Sequence, residues 1–186
     1  MNTPREIKIL ITGPMGAGKT TAIAAVSAVA PVKTEALNSD LAQHSKSHTT
    51  VALDYGEVQL AGGDRLRLYG TPGQKRFNVM WQILAKGALG VVILIDMTRP
   101  DPVADLVDYA NDFADVIRSS SGVVGLSRAS ENTEIASAEL YSALSALGLM
   151  LPIFAVDIRK REDVLLLLEA LFSQIEMAEL PADIDA

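Results

Sequence analysis

The chain has 186 residues, enough for one domain with a sizeable buried core. It is 49% apolar and 21% charged, and its formal net charge of −7 leaves no electrostatic footprint for nucleic acid. It contains no cysteine, which excludes disulfides, thiolate metal sites, cysteine nucleophiles and lipid anchors on cysteine.

Residues 7–11 form a continuous apolar run, the pattern of a strand buried on both faces. Arg5, Glu6 and Lys8 break up the N-terminal segment, so no signal peptide is expected, and Asn2 is not a myristoylation glycine. A glycine-rich turn follows, then a helical segment over 20–30 that Pro31 ends. Residues 33–50 are polar, without a period. Residues 51–60 read as a strand, Ala61-Gly62-Gly63-Asp64 as a hairpin turn, and 65–69 as the returning strand. Helical spacing over 76–86 precedes a second buried run at 89–95, which is far too short to span a membrane. Helices over 103–118, 138–147 and 162–179 alternate with strands at 122–126 and 152–156, and 181–186 is an acidic tail. The Arg159-Lys160-Arg161 cluster reads as a solvated loop. Strands alternating with helices predict an α/β fold: one domain over 1–186, three layers, and a mixed, mainly parallel six-stranded sheet. A cytoplasmic protein is expected.

The sharpest motif is Gly13-Pro14-Met15-Gly16-Ala17-Gly18-Lys19-Thr20, which satisfies G-x-x-x-x-G-K-[ST] between an expected strand and an expected helix. This is a P-loop. Its backbone N–H groups cradle phosphates, the helix N-terminus adds positive potential, Lys19 reaches the β- and γ-phosphates, and the Thr20 hydroxyl ligates Mg2+. Thr21 follows in the same first turn. The motif alone does not separate a GTPase from a kinase or an ATPase.

The strand ending at Tyr69 leads into Gly70-Thr71-Pro72-Gly73-Gln74. This resembles the D-x-x-G-Q switch II of Ras-like small GTPases, and within them the bacterial Tyr-Gly-Thr-Pro-Gly-Gln type similar to the gliding-motility GTPases. The resemblance implies a P-loop NTPase of Ras-like fold, with Gly73 beside the γ-phosphate and Gln74 orienting the attacking water. The family's Asp is Gly70 here. Thr49-Thr50-Val51-Ala52-Leu53-Asp54-Tyr55 resembles the family's entry to the second strand. It implies that Thr50 closes over Mg2+ together with Thr20 and that 33–50 is a switch loop; a plain connecting loop is the alternative. Asp54 reads as an outward-facing strand carboxylate, with a partial stand-in for the missing Asp as the alternative. Lys46 reads as a solvated lysine rather than a cation near the phosphates.

The family's base-reading N-K-x-D is replaced by Ser127-Arg128-Ala129-Ser130. Arg128 can lie flat against a base, but Ser130 cannot accept two hydrogen bonds as a carboxylate does. Glu131 is adjacent, and Val156-Asp157-Ile158 supplies a final loop at the base. The resemblance implies a switch that binds GTP and GDP with Mg2+, hydrolyses GTP slowly through Lys19 and Gln74, and signals to a protein partner. A non-hydrolysing interaction module and an ATP-using switch are the alternatives. In the helix after switch II, Phe77, Met80, Trp81 and Leu84 share one face, and Val79 and Ile83 the opposite one. A second apolar face suggests a contact surface; a helix buried on both sides is the alternative. The resemblance suggests a Roadblock-type dimer docking through Phe77, Met80 and Trp81.

Overall fold

A computed structural model describes residues 4–29, 32–36, 51–129 and 133–179. In chain order the elements are β1 (Glu6–Thr12), α1 (Lys19–Val26), β2 (Val32–Ala36), β3 (Val51–Gln59), β4 (Arg65–Gly70), α2 (Asn78–Ala85), β5 (Gly90–Asp96), α3 (Pro102–Asp112), α4 (Ala114–Ser119), β6 (Gly122–Ser127), α5 (Thr133–Ala146), β7 (Ile153–Val156) and α6 (Arg161–Glu179). Short 3-10 turns occupy Ala61–Gly63 and Lys75–Phe77.

One sheet runs β2-β3-β4-β1-β5-β6-β7. The β2–β3 and β3–β4 pairs are antiparallel, and every pair from β4 through β1, β5 and β6 to β7 is parallel. The expected mixed, mainly parallel α/β sheet is present, and all six expected strands belong to it. The structure adds a seventh, β2, whose last four residues fall in the segment read as loop. Lys33 and Glu35 alternate there with small or polar residues, so no apolar run marks an edge strand whose hydrogen bonds come from β3.

The period-2 alternation of the central strands builds two cores. Ile9, Ile11, Val92 and Leu94 face α1 and α6, where they meet Ile23, Val26, Leu167 and Leu171. Leu10, Val91, Ile93 and Ile95 face the other way and meet Trp81, Leu106, Tyr109, Phe113 and Leu140. The helix expected over 103–118 is two helices, α3 and α4, which break at Phe113 (φ −108, ψ 10). Phe113 nonetheless stays buried, so the apolar period runs through the break and hides it from sequence reasoning. Among the described residues no helix is long and apolar enough to cross a membrane.

Phe113 is 1% exposed and stacks on Trp81 at a centroid distance of 5.7 Å. Phe113→Ala is therefore expected to lower unfolding free energy by about 3–5 kcal/mol. Urea unfolding measures this, and a change below 1 kcal/mol on the same scale would mean the site collapses without a cavity.

Candidate phosphate-binding cleft

The chain leaves β1 at Thr12, at the carboxyl end of the sheet, between β4 and β5. Gly13 takes φ 137, and a Cβ there would collide with the Leu94 carbonyl, so only glycine lets the turn pass over β5. The loop closes on itself where the Ala17 N–H donates to the Pro14 carbonyl at 3.2 Å. Gly18, at φ 97, caps α1, whose first turn carries no carboxylate. The first turn itself supplies no anion to oppose the positive end of the helix. Gly13, Pro14 and Ala17 are buried, whereas Met15, Gly16, Gly18, Lys19, Thr20 and Thr21 line the cleft.

Lys19 is 8% exposed, and its ammonium donates to the Gly13 and Pro14 carbonyls at 2.7 and 2.8 Å. Burial pushes its pKa down to about 8, with the Asp54 carboxylate pulling the other way. The side chain is folded against its own loop with its charge only partly compensated.

The opposite wall comes from the end of β4. The Thr71 N–H donates to the Ile11 carbonyl at 3.0 Å, and the buried Thr12 and Thr71 hydroxyls share a 2.8 Å hydrogen bond. These bonds extend the β1–β4 pairing by one residue and deliver Pro72, Gly73 and Gln74 beside the P-loop. A Cβ on Gly73 would lie 2.6 Å from the Met15 amide nitrogen and 3.0 Å from Lys19 Nζ, so the two loops touch. Gln74 donates from Nε2 to the Met15 thioether at 3.7 Å.

Two aromatic residues hold this loop from behind. The Trp81 indole donates to the Pro72 carbonyl at 2.8 Å, and the Tyr109 hydroxyl donates to the Gly73 carbonyl at 2.9 Å. N–H and C=O oppose each other in a trans peptide, so the Trp81 bond aims the Gly73 N–H away from the indole. Burial pushes the Tyr109 phenol up to about 12, so it stays a donor at neutral pH. Thr71 and Tyr109 were not singled out from the sequence. Thr71 carries a signal in its motif; Tyr109 carries none, because only packing brings α3 to this loop.

Asp54 overturns its sequence reading. It faces α1, and the Thr20 hydroxyl donates to its Oδ2 at 2.6 Å. Asp54 and Gly70 are direct cross-strand partners. Among the described residues no group of three or more His, Cys, Asp or Glu gathers as a metal cage. A hydroxyl bonded to a carboxylate beside a phosphate cradle suits Mg2+ all the same, since that ion takes few protein ligands and fills its shell with phosphate oxygens and water.

At the far end, Ser127, Arg128, Ala129 and residues 155–159 complete a cleft of about 1210 Å³. The buried Ser127 hydroxyl reaches the Ala17 and Ile95 carbonyls at 3.4 and 3.3 Å, tying β6 to the P-loop. Arg128 has φ 54, which is uncommon for a side-chain-bearing residue. Its guanidinium donates to the Gly16 carbonyl at 3.3 Å and pairs with Asp96. Burial alone would raise the Asp96 pKa, but hydrogen bonds from Thr98 and the Arg128 charge outweigh it and lower the value. Both Asp157 oxygens are taken by Arg159, which holds that carboxyl at about 2. Thr50, Lys46, Ser130 and Glu131 lie outside the described residues.

The α2 reading needs one correction. Trp81 is 3% exposed, packed on Tyr109 and Phe113 with its N–H satisfied by Pro72, so it is core and not a docking residue. Phe77 and Met80 are half-buried. The free face belongs to Val79 and Ile83, 65% and 62% exposed, and the helix is not buried on both sides.

Known proteins are similar to parts of this chain. An uncharacterized protein of Methanocaldococcus jannaschii is 28% identical over 94 residues, 50% of this chain and 53% of its own. The Ras-related protein RABC2a of Arabidopsis thaliana is 33% identical over 106 residues, 55% of this chain and 44% of its own. The Ras-related protein Rab-32 of Sus scrofa is 25% identical over 120 residues, 62% of this chain and 47% of its own. The chain thus spans about half the length of the curated relatives it matches. Residues 30–129, just over half of the chain, match the family described as "Conserved hypothetical ATP binding protein". That match takes in the Gly73–Gln74 loop, the Tyr109 that holds it and the Arg128 end of the cleft, and the chain therefore belongs to this family, as a nucleotide-binding P-loop protein with Ras-like relatives.

Proposed function

We propose that the chain is a small GTP-binding switch that hydrolyses GTP slowly with Mg2+ and reports its nucleotide state to a protein partner. The observation that carries this reading is the contact between the P-loop and the Gly73–Gln74 loop. A phosphate cradle and a glycine-glutamine pair meet at the same end of one cleft. The Lys19 ammonium would exchange its two loop carbonyls for phosphate oxygens, and the α1 N–H groups would complete the cradle. Thr20 and Thr50 would hold Mg2+, which neutralises charge on the β- and γ-phosphates when bound. The Gly73 N–H, aimed away from Trp81, would take a γ-phosphate oxygen. Gln74 would leave Met15 and orient the attacking water. Loss of the γ-phosphate would release Thr50 and Gly73, an order–disorder switch. Unaided turnover near the ~10⁻⁴ s⁻¹ scale of Ras-type proteins is expected. Val79 and Ile83 on α2, next to the switch loop, form the face on which a partner would dock; the resemblance suggests a Roadblock-type dimer.

An ATP-using switch is the second reading. It is favoured by the family description and by Ser130, which lacks the carboxylate that pairs with guanine.

Competition for a fluorescent GTP analogue on the purified protein with Mg2+ separates the two. GTP is expected to displace it at least a hundredfold better than ATP, about 2.7 kcal/mol. Equal competition would establish the ATP-using reading, and no binding of either would remove the nucleotide-switch reading altogether. Gln74→Leu is expected to keep nucleotide affinity while slowing single-turnover hydrolysis roughly 10²-fold; an unchanged rate would remove its role. The depressed Lys19 pKa sets a pH dependence. Above about 8 the free lysine is largely neutral, and bound phosphate restores its charge, so binding takes up a proton and weakens as pH rises from there. Calorimetry at pH 8.5 in buffers of different ionisation enthalpy should show this uptake in the wild type and not in Lys19→Met.

A further inference from the structure

The loop of Gly73 and Gln74 is anchored at two successive carbonyls, and both anchors are aromatic. The Trp81 indole takes the Pro72 carbonyl at 2.8 Å, and the Tyr109 hydroxyl takes the Gly73 carbonyl at 2.9 Å. The two donors stand together, with ring centroids 5.3 Å apart and each residue 3% exposed. Successive carbonyls of an extended chain point to opposite sides. These two point to one wall, so the backbone is turned at Gly73. The bond from the Phe77 N–H to the Gln74 carbonyl, at 3.0 Å, continues that turn.

Each trans peptide sets its N–H opposite its C=O. The Gly73 N–H and the Gln74 N–H therefore both point away from the aromatic pair. Among the described residues neither has a hydrogen-bond partner. The α-carbon between them lies against the P-loop: a Cβ on Gly73 would sit 2.6 Å from the Met15 nitrogen and 3.0 Å from Lys19 Nζ. Two adjacent N–H groups turned the same way, beside an ammonium, make a concavity for an anion. Trp81 sets the first donor and Tyr109 sets the second. Packing alone asks only for the Tyr109 ring, which already fills the core against Trp81. A buried hydroxyl is costly unless it is bonded, and this one is bonded to the Gly73 carbonyl.

We infer that Tyr109 is a positioning residue for the terminal phosphate: by holding the Gly73 carbonyl it aims the Gln74 N–H, so that two backbone donors and not one meet the γ-phosphate. The inference rests on the GTP-binding reading above. The P-loop and the first turn of α1 take the rest of the phosphate chain on the other wall of the cleft. Tyr109 thus acts on the third phosphate and leaves the first two alone. Held from behind, the paired donors lose little freedom when they take an anion.

The test compares a non-hydrolysable GTP analogue with GDP on the full chain in Mg2+. Tyr109→Phe keeps the ring and removes the hydroxyl. It is expected to weaken the GTP analogue about 10-fold while GDP affinity stays within about twofold. An equal loss for both nucleotides, which is what a merely structural role gives, would overturn the inference, as would no loss for either. Residue-resolved amide exchange in the wild type gives a readout that does not depend on how the variant folds. The GTP analogue should slow exchange at both Gly73 and Gln74 relative to GDP. Slowing at Gly73 alone would remove the Gln74 N–H from the site, and Tyr109 with it. A wild type that binds neither nucleotide would remove the GTP-binding reading itself, an outcome distinct from all of these.

Discussion

A strand buried on both faces can present chemistry only at its end, and β1 is such a strand. Ile9 and Ile11 are locked into one core and Leu10 into the other, so from Ile9 to Thr12 nothing along the strand reaches solvent. Its carboxyl end lies where strand order reverses, with β4 on one side and β5 on the other. A crevice at such a reversal is the general location of ligand sites in open α/β sheets. The P-loop, the Thr12–Thr71 bond and the loop of Gly73 all descend from that single placement.

The electrostatics are local. A chain with net charge −7 repels anions at long range, yet the cleft floor is a helix N-terminus without a first-turn carboxylate, backed by a buried lysine. At physiological ionic strength the overall charge is screened beyond about 8 Å, while a partly buried contact is screened much less. The neighbourhood of α1 therefore sets the potential that an anion in the cleft would meet. Asp54 keeps a carboxylate on the cleft wall, held by Thr20, and the buried Asp96 lies behind the other end, held by Arg128.

What could be read from the sequence followed a physical rule. Where chemistry dictates residue type at fixed spacing, as from Gly13 to Thr20, the motif and its flanking strand and helix were legible. Buried strands were legible because both faces are apolar. The edge strand β2 was not, since its bonds come from β3 and Lys33 and Glu35 leave no apolar run. The direction of Asp54 was half legible: alternation sets it opposite Leu53 and Tyr55, but nothing local says that α1 lies on that side or that its cross-strand partner is a glycine. Trp81 showed the same limit. Helical spacing gave α2 two apolar faces, and only packing against Tyr109 and Phe113 decided which one is core.

The bond from Trp81 to Pro72 also gives the molecule an internal reporter. The chain has one tryptophan, and its indole N–H is joined to the backbone of the loop that faces the phosphate cradle. Indole emission responds to the polarity of the surroundings and to loss of that hydrogen bond, and no second indole dilutes the signal. A rearrangement of the Pro72–Gly73 peptide that broke this bond would thereby register in the intrinsic fluorescence of the protein, without a label and without a partner present.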